Sequence, residues 1–183
     1  MGYNFKYLLI AFLFFSFISC ENSKNEYHKK FAVVSAKIEA SKAGYEILKM
    51  GGNAFDAMIA TDLALAVVYP NAGNLGGGGF MVYRLSDGDY GSLDFREKAP
   101  LAATKDMYLD ESGNVIKGLS REGALSVGVP GTVAGLFEIY DRFGSLPLDS
   151  LFKPALNLAM NGFPLTDKQV QNVEHRCVRN FEK

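Results

Sequence analysis

The hydrophobic pattern divides the first half of the chain into apolar runs that are separated by polar breaks. A short apolar run at residues 31–36 is typical of a buried strand. Residues 38–50 carry apolar side chains at helical spacing, and the pair Gly51-Gly52 is a typical helix end. Residues 53–68 are apolar almost all round, which predicts a helix that is buried on most of its faces.

Two apolar runs in the middle of the chain predict a β-hairpin. Residues 80–85 and 90–95 have the composition of strands, and the Ser-Asp-Gly-Asp sequence at 86–89 supplies a turn between them. Residues 98–129 have a mixed pattern that predicts no regular element, apart from a second turn at 111–114.

The last third of the chain predicts two further helices. Pro130-Gly131 opens one that extends to about residue 143, and residues 151–160 form another. The last twenty residues are polar and predict no closing element. Helices layered on a sheet, part of it antiparallel, predict an α/β (α+β) fold class.

The N-terminal thirty residues have the pattern of a targeting segment. The apolar run at 8–18 is too short for a helix that spans a bilayer, which needs ~20 residues, but it suits a signal peptide. A cysteine, Cys20, follows the run, as in bacterial lipoproteins. We therefore predict a lipoprotein-type signal peptide at 1–20, lipidation of Cys20, and a polar tether at 21–30. An ordinary cleaved signal peptide with an incidental cysteine is the alternative.

Composition narrows the choice of partners and cofactors. The chain has 183 residues, 48% of them hydrophobic, which suits one domain or a piece of a larger one with a packed core. The net charge of −1 and the lack of a Lys/Arg run predict no nucleic-acid partner. Cys20 and Cys177 are the only cysteines, so no disulfide framework or zinc spacing is present, and we predict no metal or cofactor. With a lipidated Cys20, the expected location is the bacterial cell envelope, periplasmic or at the surface.

The sequence NAGNLGGGGF at 71–80 raises the possibility of a phosphate-binding loop. Such loops run into the N-terminus of a helix and are usually followed by lysine. Here the glycines run into a predicted strand and no lysine follows. The favoured interpretation is that the missing Cβ atoms allow close packing against neighbouring backbone.

Charged residues at the end of the second hairpin strand form a candidate binding site. Arg96, in the sequence Asp94-Phe95-Arg96-Glu97, is the type of side chain that binds a carboxylate through two parallel hydrogen bonds. From the residues alone, a pair between Arg96 and a neighbouring acid is the favoured interpretation.

Two acidic residues in the predicted helix at 53–68 could be proposed as a catalytic pair. Asp56 and Asp62 are six residues apart, a rotation of about 240° around a helix, so their side chains point in different directions and do not converge. Asp56 is better explained as part of the N-terminal cap that begins at Asn53.

Four linked motifs together resemble the start of a γ-glutamyltransferase (γ-glutamyltranspeptidase, glutathione hydrolase). They are GGNA at 51–54, NAGNLGGGGF at 71–80, DFRE with the following Ala-Pro at 94–100, and GVPGTVAG at 128–135. The resemblance covers about residues 31–165. It implies an N-terminal nucleophile hydrolase with an αββα sandwich, made as a precursor that cleaves itself into a large and a small subunit.

The resemblance also implies a mechanism, and it implies which groups of the site belong to the small subunit and which belong to this chain. A threonine at the N-terminus of the small subunit attacks the γ-glutamyl amide, its own α-amino group acts as base, and the glutamyl ester passes to water or to an amino acid or peptide. Arg96 would bind the α-carboxylate of the γ-glutamyl group, which reverses the interpretation from the residues alone. The expected partners are glutathione and other γ-glutamyl compounds, together with the small subunit from the same precursor.

Residues 31–183 would be an N-terminal fragment of the large subunit, with the sandwich incomplete and with no catalytic residue in this chain. None of its candidate threonines lies at the family's processing site; they are Thr61, Thr104, Thr132 and Thr166. We therefore expect the chain alone to be inactive. Two alternatives remain at this point, a related acylase of the same superfamily and an inactive membrane-tethered remnant.

Overall fold

The computed structural model describes residues 31–181, with side chains as far as residue 174. The predicted signal peptide at 1–20, the lipidated Cys20 and the tether at 21–30 lie outside the described residues. Within the described part of the chain, no helix has the length and apolar character needed to cross a bilayer.

The described residues contain five α-helices and one two-stranded sheet. In chain order the elements are α1 (Ile38–Lys49), α2 (Ala54–Val68), β1 (Phe80–Arg84), β2 (Tyr90–Asp94), α3 (Thr132–Phe143), α4 (Leu148–Asn161) and α5 (Asp167–Phe181). A short 3-10 turn, Ala124–Ser126, interrupts the long segment between β2 and α3. The predicted mixture of α and β structure is confirmed.

Helix α1 ends where the glycine pair predicts. Gly51 has a positive φ of 94°, its N–H donates to Leu48 O at 3.1 Å, and the Gly52 N–H donates to Ile47 O at 3.1 Å. These two bonds form a Schellman motif, which satisfies carbonyl groups that the end of a helix otherwise leaves free.

Helix α2 begins with a capping box. The Asn53 Oδ1 accepts from the N–H groups of Phe55 and Asp56, at 2.8 and 3.0 Å, and the Asn53 N–H donates to Asp56 Oδ2 at 2.9 Å. Helices α1, α3 and α4 all pack against α2. The prediction of a capped helix that is buried on most of its faces is therefore confirmed.

The main core lies between the helices and one face of the hairpin. Its largest fully buried side chains are Ile47, Ile59, Ile139 and Leu151. The hairpin is antiparallel, with Phe80 opposite Asp94 and Arg84 opposite Tyr90, as predicted. Alternate side chains of its strands face the core, and these are Met81, Tyr83 and Leu93.

The predicted strand at residues 31–36 is wrong. Its side chains alternate between half-buried and exposed, as in extended chain, but no strand is assigned there. A strand needs a hydrogen-bonded partner, and the sheet of the described residues consists of β1 and β2 alone.

The prediction of no closing element is also wrong, because α5 occupies most of the last twenty residues. The Thr166 N–H donates to Gln169 Oε1 at 3.1 Å, and the Gln169 N–H donates to Thr166 Oγ1 at 3.4 Å. This Thr-x-x-Gln capping box was a readable signal in the sequence. The Gln169 Nε2 also donates to Val68 O at 3.0 Å, which joins the start of α5 to the end of α2.

Helix α4 starts earlier than the predicted residue 151. It begins at Leu148, directly after Pro147, and the Ser150 N–H donates to Pro147 O at 2.9 Å. Proline is tolerated at a helix start because the first N–H groups have no partner inside the helix.

Candidate substrate-binding site

The segment that carries Arg96 packs against two glycine motifs. Phe95 and Gly79 exchange backbone hydrogen bonds of 3.0 and 3.4 Å, which continue the pairing of the two strands beyond β2. A Cβ atom at Gly78 would lie 2.7 Å from Arg96 Cα, and one at Gly131 would overlap the Phe95 carbonyl. The absence of side chains thus lets both motifs approach this backbone closely, which agrees with the packing interpretation.

The glycine run also contacts the start of α3. The Gly77 carbonyl accepts from the N–H groups of Gly131 and Thr132, at 2.8 and 3.0 Å. These N–H groups at the helix start are therefore bound to protein backbone, in contrast to a phosphate-binding loop, where they face the ligand.

Phe95 anchors the segment through its ring. A Cβ at Gly79 would lie 2.8 Å from Phe95 Cε2, and one at Gly135 would overlap the ring atoms. The ring packs against the main core between these two glycines. Phe95 had no predicted role. The repeated glycines of the motif at 128–135 were the available signal, but their partner is only visible in three dimensions.

Arg96 presents an exposed guanidinium on this anchored backbone. Its side chain is 69% exposed, and its backbone N–H donates to Asp94 Oδ1 at 3.0 Å. Arg96 Nε lies 3.9 Å from Glu97 Oε2, too far for a hydrogen bond. An exposed pair of this kind contributes at most about 1 kcal/mol, so Glu97 competes only weakly with a ligand for the guanidinium.

A cavity of about 300 Å³ lies beside Arg96, between the end of β2 and the start of α3. This volume is at the lower end of the range for small-molecule sites. Apolar residues and glycines supply much of its wall, and its charged lining residues are Asp94, Arg96, Lys98 and Glu138. The arrangement can bind a small molecule that carries a carboxylate.

Asp56 and Asp62 do not form a second site. Asp56 is fully buried and accepts from the Ser145 N–H at 3.0 Å and from the Ser145 hydroxyl. Burial raises the pKa of Asp56, but the hydrogen bonds from Ser145, Asn53 and Leu146 together outweigh it, so the pKa is lowered. Burial alone raises the pKa of Asp62. The two carboxylates share no hydrogen-bond partner, and no His, Cys, Asp and Glu side chains of the described region group as metal ligands.

Three of the four candidate threonines are either buried or part of a helix cap. Thr61 is buried and its hydroxyl donates to Ala57 O at 2.7 Å within α2. Thr132 is buried at the start of α3, and Thr166 caps α5. None of the three presents a free hydroxyl to the cavity beside Arg96.

The described residues form a domain of mixed α and β structure with a small cavity beside Arg96. Residues 40–182 match the family described as Gamma-glutamyltranspeptidase, and the chain belongs to that family. The resemblance seen in the four motifs is thereby confirmed.

Individual relatives agree with this assignment. The chain is 54% identical over 151 residues to a glutathione hydrolase proenzyme from Pseudomonas sp. (strain A14), a match that covers 82% of this chain and 26% of the relative. It resembles the crystal structure of Helicobacter pylori gamma-glutamyltranspeptidase with a TM-score of 0.77 and 46% identity, over 84% of this chain and 44% of that one. The enzyme from Pseudomonas nitroreducens gives a TM-score of 0.74 and 49% identity, over 84% and 46%. The chain thus spans about a quarter of the length of the curated relatives that it matches.

Proposed function

We propose that this chain is the N-terminal part of the large subunit of a γ-glutamyltransferase. The complete precursor hydrolyses γ-glutamyl amides such as glutathione, or transfers the γ-glutamyl group to an amino acid or peptide. The observation that carries this proposal is the exposed Arg96 guanidinium beside a small cavity, on a backbone that two glycine motifs pack against. Family membership and the names of the relatives support the same reaction.

In the proposed mechanism, Arg96 binds the α-carboxylate of the γ-glutamyl group. A planar guanidinium matches both carboxylate oxygens, and an anchored backbone limits the positions that the bound glutamyl group can take. A threonine at the N-terminus of the small subunit then attacks the amide carbon; its α-amino group accepts the hydroxyl proton and returns it to the departing amine, and a γ-glutamyl ester of the threonine forms. Water or an acceptor amine releases the glutamyl group from the ester. The mechanism needs no cofactor.

The surroundings of the chain in the cell are part of the proposal. The hairpin belongs to an αββα sandwich that later parts of the precursor complete, and a lipid on Cys20 holds the protein at the bacterial cell envelope. The apolar run at 8–18, with Cys20 two residues after its end, supports the anchor. Substitution of Cys20 by alanine should abolish labelling by a fatty-acid analogue and move the protein from the membrane fraction. Unchanged labelling would refute the anchor.

The activity is tested on the protein encoded by the complete reading frame. We expect it to process into two subunits and to release p-nitroaniline from γ-glutamyl-p-nitroanilide. A processed protein with no γ-glutamyl activity contradicts the proposal, and one that cleaves a different acyl amide supports the acylase alternative. A stop codon directly after Lys183 supports the tethered remnant.

A further inference from the structure

Lys98 is the second cation of the cavity. It lies two residues after Arg96, and its backbone is fixed by Val129, since the Lys98 N–H donates to Val129 O at 3.1 Å and the Val129 N–H donates to Lys98 O at 2.8 Å. The side chain is exposed. A charged group on a fixed backbone, at the wall of a cavity, is placed to contact whatever the cavity binds.

The two acidic residues of the cavity already have partners. Glu138 forms a salt bridge with Arg142 on the same helix. Asp94 accepts from the backbone N–H of Arg96, and the Arg96 guanidinium, 3.9 Å from Glu97, is the group that the proposed function assigns to the first carboxylate. Lys98 has no ion pair with any residue that the structure describes. Its ammonium group is therefore available to a ligand anion.

We propose that Lys98 binds a second carboxylate of the substrate, on the amine side of the γ-glutamyl bond. The site would then favour γ-glutamyl compounds whose amine part is an amino acid or peptide over those whose amine part is uncharged. The inference rests on the proposed function, because it takes Arg96 as the partner of the first carboxylate. Two residues of chain span at most roughly 7 Å, and a γ-glutamyl amino acid carries its carboxylates at the ends of a chain of dipeptide length.

Two chromogenic substrates distinguish binding of the second carboxylate from an effect of Lys98 on catalysis or folding in general. γ-Glutamyl-p-nitroanilide and its ring-carboxylated derivative differ by one carboxylate on the leaving amine. In the processed enzyme, Lys98→Gln should lower kcat/KM for the carboxylated substrate by roughly three- to tenfold and leave the other substrate nearly unchanged, as expected for a partly exposed charge contact. Lys98→Arg should retain the preference.

The controls use the same preparations. Lys105→Gln removes an exposed lysine outside the cavity and should leave the ratio of the two kcat/KM values unchanged. That ratio is measured on one preparation, so it does not depend on the fraction of folded enzyme. Added salt should reduce the preference of the parent enzyme, because salt screens exposed charges.

The results of the kinetic comparison distinguish failure of the inference about Lys98 from failure of the proposed function. An active parent enzyme whose ratio is the same after Lys98→Gln overturns the inference and leaves the proposed function standing. An equal loss for both substrates also overturns it, because Lys98 would then act only on the common γ-glutamyl part or on folding. A processed parent that is inactive toward both substrates overturns the proposed function and the inference together.

Discussion

Arg96 and Asp56 are charged side chains in opposite surroundings. Arg96 is exposed beside a cavity and has only a long contact with Glu97, whereas Asp56 is fully buried with several hydrogen-bond donors around it. A buried carboxylate that is saturated with donors stabilises the fold, while an exposed guanidinium on fixed backbone is free to bind a ligand. The two residues are therefore expected to fail in different ways when they are substituted.

Substitution of Arg96 should weaken substrate binding more than turnover. The α-carboxylate is present in both the substrate and the transition state, so Arg96→Gln should raise KM for γ-glutamyl-p-nitroanilide and change kcat less. Loss of a charged hydrogen-bonded contact of about 1.5–3 kcal/mol corresponds to roughly a 10- to 150-fold rise in KM. Arg96→Lys should fall between, because lysine keeps the charge without the planar fork. Arg121→Gln, at an exposed arginine outside the cavity, is the control, and an unchanged KM in Arg96→Gln would exclude the assigned role.

Substitution of Asp56 should instead lower stability. Asp56→Ala leaves the Ser145 and Asn53 donors without their acceptor, and we expect a loss of roughly 2–4 kcal/mol in the free energy of unfolding. The comparison is Asp141→Ala, at an exposed position on α3, measured by thermal or urea unfolding of the same protein. Equal unfolding midpoints for the two variants would contradict the assignment.

The stabilising effect of Asp56 should also depend on pH. Its pKa is lowered in the folded protein relative to the ordinary value of 3.8, so the folded state favours the charged form. The contribution is fully present above that ordinary value and is lost as the pH falls through the folded pKa. The stability gap between the parent protein and Asp56→Asn should therefore be constant near neutral pH and should narrow in acid. A stability gap that widens in acid would show that folding does not lower the pKa of Asp56.

At the scale of elements, the glycine run matters because of what each glycine contacts. Gly78 lies against the backbone of Arg96 and Glu97, whereas a Cβ at Gly76 would meet only Asn74 Oδ1, at 3.8 Å. The four glycines are therefore not equivalent. Their positions follow from the packing of the hairpin entry and not from flexibility.

Two alanine substitutions within the run test this difference. Gly78→Ala should displace the Arg96 backbone, lower stability by about 1–3 kcal/mol and raise KM, because a methyl group has no room there. Gly76→Ala should fold and react like the parent enzyme. Thermal unfolding and γ-glutamyl-p-nitroanilide kinetics measure both effects, and equal behaviour of the two variants would disprove the packing argument.

The elements that the sequence predicted correctly have local signals. The Asn53 cap, the glycine pair after α1 and the Asp-Gly turn of the hairpin each act within a few residues. The strand at 31–36 failed because a strand depends on a partner elsewhere in the chain. Helix α5 has a local signal in the cap at Thr166, but it was not predicted because the segment is polar and lacks a clear apolar pattern. The contacts of Phe95 with two distant glycines have no local signal at all.

At the scale of the whole molecule, one face of the hairpin has no cover within the described residues. Phe80, Val82 and Tyr90 are 66%, 83% and 83% exposed on that face. Adjacent exposed apolar side chains of this kind usually mark an interaction surface. The proposed sandwich accounts for the exposure, because later parts of the precursor would pack there.

The isolated chain should therefore expose an apolar surface that the complete protein buries. We expect the 183-residue chain to bind a hydrophobic dye and to associate, and we expect Val82→Lys to reduce both effects. In the complete protein the same substitution should lower stability, because it would place a charge inside the sandwich. Arg84→Lys, on the same face, keeps the charge and is the control. A complete protein that tolerates Val82→Lys without loss would argue against the sandwich.

The hydrogen bonds of the Gly77 carbonyl have a consequence for how the site assembles in time. They join groups that are more than fifty positions apart in the chain, so the long segment between them must close before the bonds form. Proton exchange with deuterated solvent at the amides of Gly131 and Thr132 thus reports on closure of this loop, without any need for substrate or turnover. The time at which these two amides become protected from exchange during refolding is therefore the time at which the backbone next to Arg96 reaches its native position.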